Sequence, residues 1–285
     1  MIDVNYFAPA NLDEAVKLIA ANKDGLKVLA GGTDIMPKIN YYKEIPKAVM
    51  YLGGVGLDFI EVTDDGLVIG AGTPIAKILQ SELIAKAAPV LAEAAAEHSS
   101  PAIRSVATIG GNIVNASPAA DMVPPLYALD AVLTLVGPGG ARSVKIEEFF
   151  TGPGKTVRAP DELLKDILVP NVKGKAAFIK LGKRKAQVLS VVSVAARLVA
   201  EGGNCVKARI AIGSVAPTVI RCPEAEAMLA GKQITPELLC EAAKAAIGVA
   251  TPIDDSRATA WYRKEAGLGI VKKALFTAAG LEYTD

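Results

Sequence analysis

Two stretches of this chain set glycine beside small polar side chains: "AGGTDI" over residues 30–35 and "ATIGGNIVNASPAAD" over residues 107–121. Glycine lets a backbone come within van der Waals distance of a ligand and take up positive φ, so successive N–H groups can converge on one anion. That is the chemistry of a pyrophosphate cradle. Thr33, Thr108, Asn112 and Asn115 would add neutral donors, suited to a phosphate held without lysine or metal. Asp121, an acceptor-only side chain when ionised, suits ribityl or ribose hydroxyls. Neither stretch has the G-x-G-x-x-G or G-x-x-x-x-G-K-[ST] spacing of the common nucleotide loops, and either one alone reads as an ordinary turn.

Other residues with reactive or charged groups are less suggestive. His98, the single histidine, stands near a helix end and reads as a cap or surface residue. Asp254 and Asp255 are adjacent, and Arg257 and Arg263 offer them simple ion-pair partners rather than a catalytic role. Cys205, Cys222 and Cys240 match no metal-ligand spacing and read as reduced thiols. No metal site is expected.

The elements that must position the two glycine stretches can be traced along the chain. Asn11 is placed to cap a helix over "LDEAVKLIAANKDG" with Gly25 as its stop, and "LKVL" is a short strand that delivers the first stretch. Thr33 or Asp34 is placed to cap the helical turn that follows. Asp65-Gly66 between two β-rich runs signals a hairpin, whose antiparallel pairing would make the sheet mixed. Residues 73–100 read as one or two helices broken at Pro89, and the second glycine stretch follows "AIRSVA" as a loop. A boundary falls at "PNVKGKAAF", beyond which three strands and then helices suggest an α+β domain.

Composition bounds the function. With 285 residues the chain suits two domains, and a formal net charge of +1 removes any general electrostatic case for nucleic acid or an anionic membrane. Aromatics at 5% argue against stacking platforms for single strands. Apolar runs are broken by charge before the roughly 18 residues a membrane span needs, and no basic region precedes one at the N-terminus. A soluble cytoplasmic protein is expected.

Taken together, "AGGTDIMPKI" and, about seventy residues further on, "TIGGNIVNASPAAD" resemble the paired flavin motifs of the FAD-binding subunit of molybdenum hydroxylases, the xanthine dehydrogenase and carbon monoxide dehydrogenase family. "FIKLGKRKAQVLSVVSVAARL", "IAIGSVAPTVIRC" and "PIDDSRATAWYRKEAG" resemble that family's C-terminal landmarks, so the likeness spans the chain. The resemblance implies an α+β protein: a vanillyl-alcohol-oxidase-type FAD-binding domain over 1–173, made of α/β subdomains about 1–56 and 57–173, then a domain over 174–285 with a three-stranded antiparallel sheet and a helical bundle. It implies that Leu29, Ala30, Gly31, Gly32, Thr33, Asp34 and Ile35 wrap the FAD pyrophosphate. Thr108, Gly111, Asn112, Val114 and Asn115 would complete the cradle, Asp121 would take hydroxyls, and Leu164 and Lys180 would approach the adenine and ring ends.

His98 stands near the place where related eukaryotic xanthine enzymes set an aromatic against the flavin ring. The run of Lys180, Lys183, Arg184 and Lys185 reads as a solvated strand start apart from Lys180, with steering of an anionic acceptor as the other reading. The function implied is a flavin electron-transfer subunit that takes electrons from partner iron–sulfur clusters and passes them to an acceptor such as NAD. Its expected partners are a large molybdopterin-binding subunit and a small [2Fe-2S] subunit, in a heterotrimer or its dimer. The alternative is a stand-alone flavin oxidase or reductase of the same superfamily, which needs acid/base groups over the flavin; the C-terminal part offers Tyr262 and no histidine.

Overall fold

The computed structural model describes residues 4–41, 43, 45–184 and 187–283, so Lys185 lies outside the described residues. The chain opens with β1 (Asn5–Phe7), α1 (Leu12–Ala21), β2 (Leu26–Leu29), α2 (Ile35–Asn40) and β3 (Ala48–Tyr51). These strands form a parallel sheet in the order β1-β3-β2. Asn11 caps α1 by accepting the Glu14 N–H at 2.9 Å. The helix stops at Ala21, ahead of the expected Gly25; that glycine has φ +98° and serves the turn into β2. On its inner face α1 buries Ala15 and Ile19 against Met50, Val55, Leu57 and Leu163.

A second layer follows: β4 (Ile60–Thr63), β5 (Gly66–Gly70), α3 (Ile75–Gln80), α4 (Glu82–Ala87), α5 (Pro89–Glu97), α6 (Pro101–Arg104), α7 (Ile109–Val114) and α8 (Val123–Ala128). It continues with β6 (Val132–Gly137), β7 (Gly140–Lys145), α9 (Ile146–Phe149), β8 (Phe150–Gly152), β9 (Lys155–Thr156) and β10 (Leu163–Pro170). The sheet order is β4-β5-β10-β6-β7, antiparallel throughout. The expected β4–β5 hairpin forms, turning on Asp64 and Asp65 with Gly66 already paired to Thr63, but no mixed sheet results. Residues 66–70 pair with 166–170 of β10 rather than with β3, so parallel and antiparallel pairing stay in separate sheets.

Residues 75–97 make three helices instead of one or two. Ser81 is the unexpected break: its backbone is extended and its Oγ accepts the Ile84 N–H at 3.3 Å, which caps a new helix well before Pro89.

The last part comprises β11 (Lys175–Leu181), β12 (Val192–Glu201), β13 (Asn204–Gly213), β14 (Ile220–Arg221), α10 (Pro223–Leu229), β15 (Lys232–Gln233), α11 (Pro236–Gly248) and α12 (Ala260–Ala279). The expected three antiparallel strands are β11, β12 and β13. Two strands of two residues each, β14 and β15, also pair with β13, too short to leave a periodic signal. The apolar run of β12 is continuous because both its faces are covered. Val194, Ala196 and Leu198 pack with α10, α11 and α12, while Ala195 joins Phe178 and Ala211 in the core of the second layer. Arg197 shares the Ala195 face and donates to Ala128 O at 2.6 Å and to Asp130 Oδ2 at 2.7 Å. No helix among the described residues is long and apolar enough to cross a membrane.

The end of α12 is fastened by Arg263, only 2% exposed, which donates to Val191 O at 2.7 Å, Ser214 O at 2.9 Å and Asp255 Oδ1 at 2.7 Å. Arg257 holds the other Asp255 oxygen at 2.7 Å, so this carboxylate is an ion-pair anchor. Replacing Arg263 with Met leaves two buried carbonyls and a carboxylate short of a donor. Arg263→Met is expected to cost about 3 kcal/mol in urea denaturation; a loss under about 1 kcal/mol would show that the anchor is dispensable.

Candidate functional site

The first glycine stretch leaves the end of β2 and enters α2. Gly31 lies so close to the segment ahead of the second stretch that a Cβ there would sit 1.9 Å from Val106 O. No side chain fits, and the two stretches therefore meet backbone to backbone. Gly32 has φ +73°, and its carbonyl accepts the Met36 N–H at 3.0 Å to start α2. Among the described residues, the N–H groups of Gly31, Gly32, Thr33 and Asp34 donate to no protein acceptor. Asp34 stands at the N-cap position without capping, and its carboxylate pairs with Lys38 at 2.6 Å on the surface.

The second stretch is a short helix where a loop was expected. Thr108 caps α7 by accepting the Gly111 N–H on Oγ1 at 3.0 Å. Ile109 N–H donates to Thr73 O at 3.0 Å, Gly110 N–H to Ala71 O at 2.9 Å, and Asn112 N–H to Thr108 O at 3.0 Å. Its backbone donors are thus spent inside the protein, and those left open come from the first stretch. The adjacent glycines also differ. A Cβ on Gly110 would sit 2.5 Å from Ala71 O, whereas one on Gly111 would meet only Thr108 Oγ1, at 3.0 Å, on the exposed side.

Asn112 Oδ1 is buried with no partner. Buried polar atoms are normally satisfied, so this one fits a ligand that brings its own hydroxyls. Asn115, exposed, ends α7, and Val114 packs on the main core. Leu164 is 5% exposed in β10 opposite Leu135, inside that core. The neighbouring Lys165 O accepts from Ala71 N–H at 2.9 Å, the residue that receives Gly110.

Asp121 closes the stretch, 4% exposed. Its Oδ2 accepts from Lys180 Nζ at 2.8 Å and lies 3.3 Å from His98 Nδ1, while Oδ1 accepts from Ser190 Oγ at 2.6 Å. The Lys180 side chain is 2% exposed and also donates to Glu97 O at 2.9 Å. Burial alone would raise the Asp121 carboxyl, but the hydrogen bonds from His98, Lys180 and Ser190 and the Lys180 charge hold it below the ordinary carboxylate value. His98 is the C-cap residue of α5, as expected, its N–H donating to Ala95 O at 3.3 Å, but its ring is not on the surface: the side chain is 14% exposed and turned onto Asp121. Its backbone C=O is held by Arg104 Nη1 at 2.8 Å. Of the rest of the basic run, Lys183 donates to Ser256 O at 2.7 Å and Arg184 to Gln187 O.

The first stretch therefore meets the start of the second at Gly31 against Val106 and Ala107, while Asp121 and Lys180 form a buried pair. Sequence reasoning missed Ser190, since only the pairing of β11 with β12 carries it to Asp121.

The comparisons with known proteins agree over the whole chain. The family described as FAD binding domain in molybdopterin dehydrogenase matches residues 2–172, and CO dehydrogenase flavoprotein C-terminal domain matches residues 177–278. The chain belongs to the FAD-binding subunits of the molybdenum hydroxylase family. It is 33% identical to the carbon monoxide dehydrogenase medium chain of Hydrogenophaga pseudoflava, over 96% of both chains. It is 34% identical to the xanthine dehydrogenase FAD-binding subunit of Escherichia coli O157:H7, over 78% of this chain and 77% of that one. Among solved structures, a carbon monoxide dehydrogenase from H. pseudoflava superposes with a TM-score of 0.93 at 32% identity, covering 97% of each chain.

The cofactor of this flavoprotein subunit is FAD, and its enzyme class is the molybdopterin-dependent oxidoreductases. The buried pair gives a stability test. Because Asp121 titrates below its ordinary 3.8 when folded, its stabilisation is complete above that pH and is lost as pH falls through the folded value. Asp121→Asn, which strands the Lys180 ammonium, is expected to cost about 3 kcal/mol at neutral pH. The gap from wild type in denaturant titrations should narrow only below about pH 4; a gap that closes nearer neutrality would contradict the assignment.

Proposed function

We propose that the chain is an electron-transfer subunit in which the first glycine stretch supplies the backbone donors for the FAD pyrophosphate and the second supplies the wall against which it rests. Held there, FAD would supply the redox chemistry that links iron–sulfur centres of a partner to an external acceptor such as NAD. The observation that carries the reading is the contact at Gly31, which sets the open N–H groups of residues 31–34 beside the second stretch. In this reading Leu29, Ala30 and Ile35 frame the donors, and Thr108, Gly111, Asn112, Val114 and Asn115 shape the opposite side, with Asn112 Oδ1 accepting from the cofactor. Asp121 has both oxygens engaged, so it takes a cofactor hydroxyl by sharing an oxygen with Lys180 or displacing Ser190. Lys180 places a buried positive charge toward the ring end, and Leu164 supports the adenine side from within the core.

A large molybdopterin-binding subunit and a small [2Fe-2S] subunit are the partners, in a heterotrimer or its dimer, in the cytoplasm. Some relatives at comparable identity are named medium chains, among them the glyceraldehyde dehydrogenase medium chain of Sulfolobus acidocaldarius, 30% identical over 95% of this chain and 97% of that one. The FAD-binding unit is taken as 1–173, in parts about 1–56 and 57–173, and the C-terminal unit as 174–285. A stand-alone oxidase finds no support in the C-terminal part, where Tyr262 lies near the outer end of α12, 44% exposed.

Purified with FAD, the chain should show a flavin spectrum at one FAD per chain and co-purify with both partners when co-expressed. Gly31→Ala, whose Cβ cannot coexist with Val106 O, should weaken FAD binding by at least about a hundredfold while circular dichroism stays native, as expected when several charge-assisted hydrogen bonds are lost. Wild-type FAD affinity in that variant would sink the cradle, and fast substrate turnover by the isolated chain would sink the subunit reading.

A further inference from the structure

A cavity of about 280 Å³ opens at the junction of the second layer and the C-terminal sheet. Its lining includes Tyr127 from α8, Asp130, Lys145 and Glu147 from one side, and Lys207 and Arg209 from β13 on the other. None of these residues belongs to either glycine stretch. Residues 207 and 209 share one face of β13 by strand alternation, so both cations point the same way.

Its carboxylates are already neutralised. Asp130 accepts from Arg197 at 2.7 Å, Arg209 at 2.6 Å and Lys207 at 3.1 Å, and Glu147 accepts from Arg221 at 2.6 Å. Arg221 and Arg209 also hold buried Glu226, at 2.6 and 3.4 Å. Lys145, Lys207 and Arg209 thus line the cavity with Asp130 and Glu147, and the wider network, with Arg197 and Arg221 against Glu226 and Glu148, keeps one cation in excess. Donors remain unspent: Arg209 Nη2 has no acceptor among the described residues, and Lys207 uses one of its three protons on Asp130.

Tyr127 adds an independent observation. The residue is 4% exposed, its ring stacks near Phe150 with centroids 6.2 Å apart, and its hydroxyl, part of the cavity lining, has no partner among the described residues. Burial and the Glu147 charge push the phenol up, so it keeps its proton and remains a donor at neutral pH. A buried phenol is normally hydrogen-bonded. The Tyr127 oxygen is not sealed from solvent, so an anion entering the cavity would take the place of water there.

We propose that this cavity is a binding site for a small phosphate-bearing anion, held by the Tyr127 hydroxyl, Lys145, Lys207 and the free edge of Arg209. Donors from three separate elements suit an anion with several oxygens, and the volume is at the lower end for ligand sites, which favours a phosphate or small phosphomonoester over a dinucleotide. An anion there adds a bridge between β13 and the Asp130 turn. Asp130 itself has φ +56°, a conformation uncommon outside glycine, and is kept in it by its cations.

The test is calorimetric titration of the FAD-loaded full chain with inorganic phosphate at constant ionic strength, with acetate in a parallel arm. Saturable phosphate binding is expected, with acetate at least about tenfold weaker. Lys207→Gln and Tyr127→Phe should each weaken phosphate by about tenfold or more, the loss of one charge-assisted or buried hydrogen bond. Lys183→Gln, outside the cavity, should leave phosphate binding unchanged. No saturable heat, equal acetate binding, or phosphate binding that survives both cavity variants would overturn the proposal.

Discussion

The close approach of two backbones at Gly31 is the constraint on which the rest of the site depends. With no Cβ, the end of β2 lies directly on Val106 O, and at Gly110 the start of α7 lies nearly as close to Ala71 O. These two contacts join the parallel sheet, the antiparallel sheet and the α7 turn in one place. A single methyl group at either would force them apart. In return, the first stretch keeps a row of backbone donors unspent, which a protein tolerates only where solvent or a ligand takes them.

Buried charges fix the C-terminal sheet to this arrangement. Lys180 of β11 meets Asp121, Arg197 of β12 meets Asp130, and Arg263 of α12 holds the turn after β13 through Ser214 O. Such pairs add little net stability over apolar residues of equal size, but breaking one is costly, by about 3 to 5 kcal/mol. They act chiefly as registers. Cross-strand pairing sets Lys180 opposite Ser193 and Ser193 opposite Gly213. A one-residue slip would turn Lys180 away from Asp121.

Much of this was legible in the sequence. The Asn11 cap, the Asp65-Gly66 hairpin and the long strands of the C-terminal sheet followed from local rules, and the two glycine stretches stood out by type and spacing. Less was legible where tertiary contact decides. Ser81 broke a helix because its hydroxyl found the Ile84 N–H, and the expected mixed sheet separated because β10, a hundred residues on, is the partner of β5. The second glycine stretch looked like a loop of free donors. Its N–H groups are spent on Thr73, Ala71 and Thr108, which no periodicity reveals. Likewise the cap at His98 was legible, but the turn of its ring onto Asp121, 23 residues away, was not.

The central claim is a division of labour, with donors from residues 31–34 and shape from residues 108–112. Amide hydrogen exchange, read residue by residue with and without FAD, tests it directly, because exchange reports each N–H separately. FAD is predicted to slow exchange strongly at Gly31, Gly32, Thr33 and Asp34 and to leave Ile109, Gly110, Gly111 and Asn112, already bonded within the protein, nearly unchanged. Protection confined to the second stretch, with the first exchanging as before, would contradict the account.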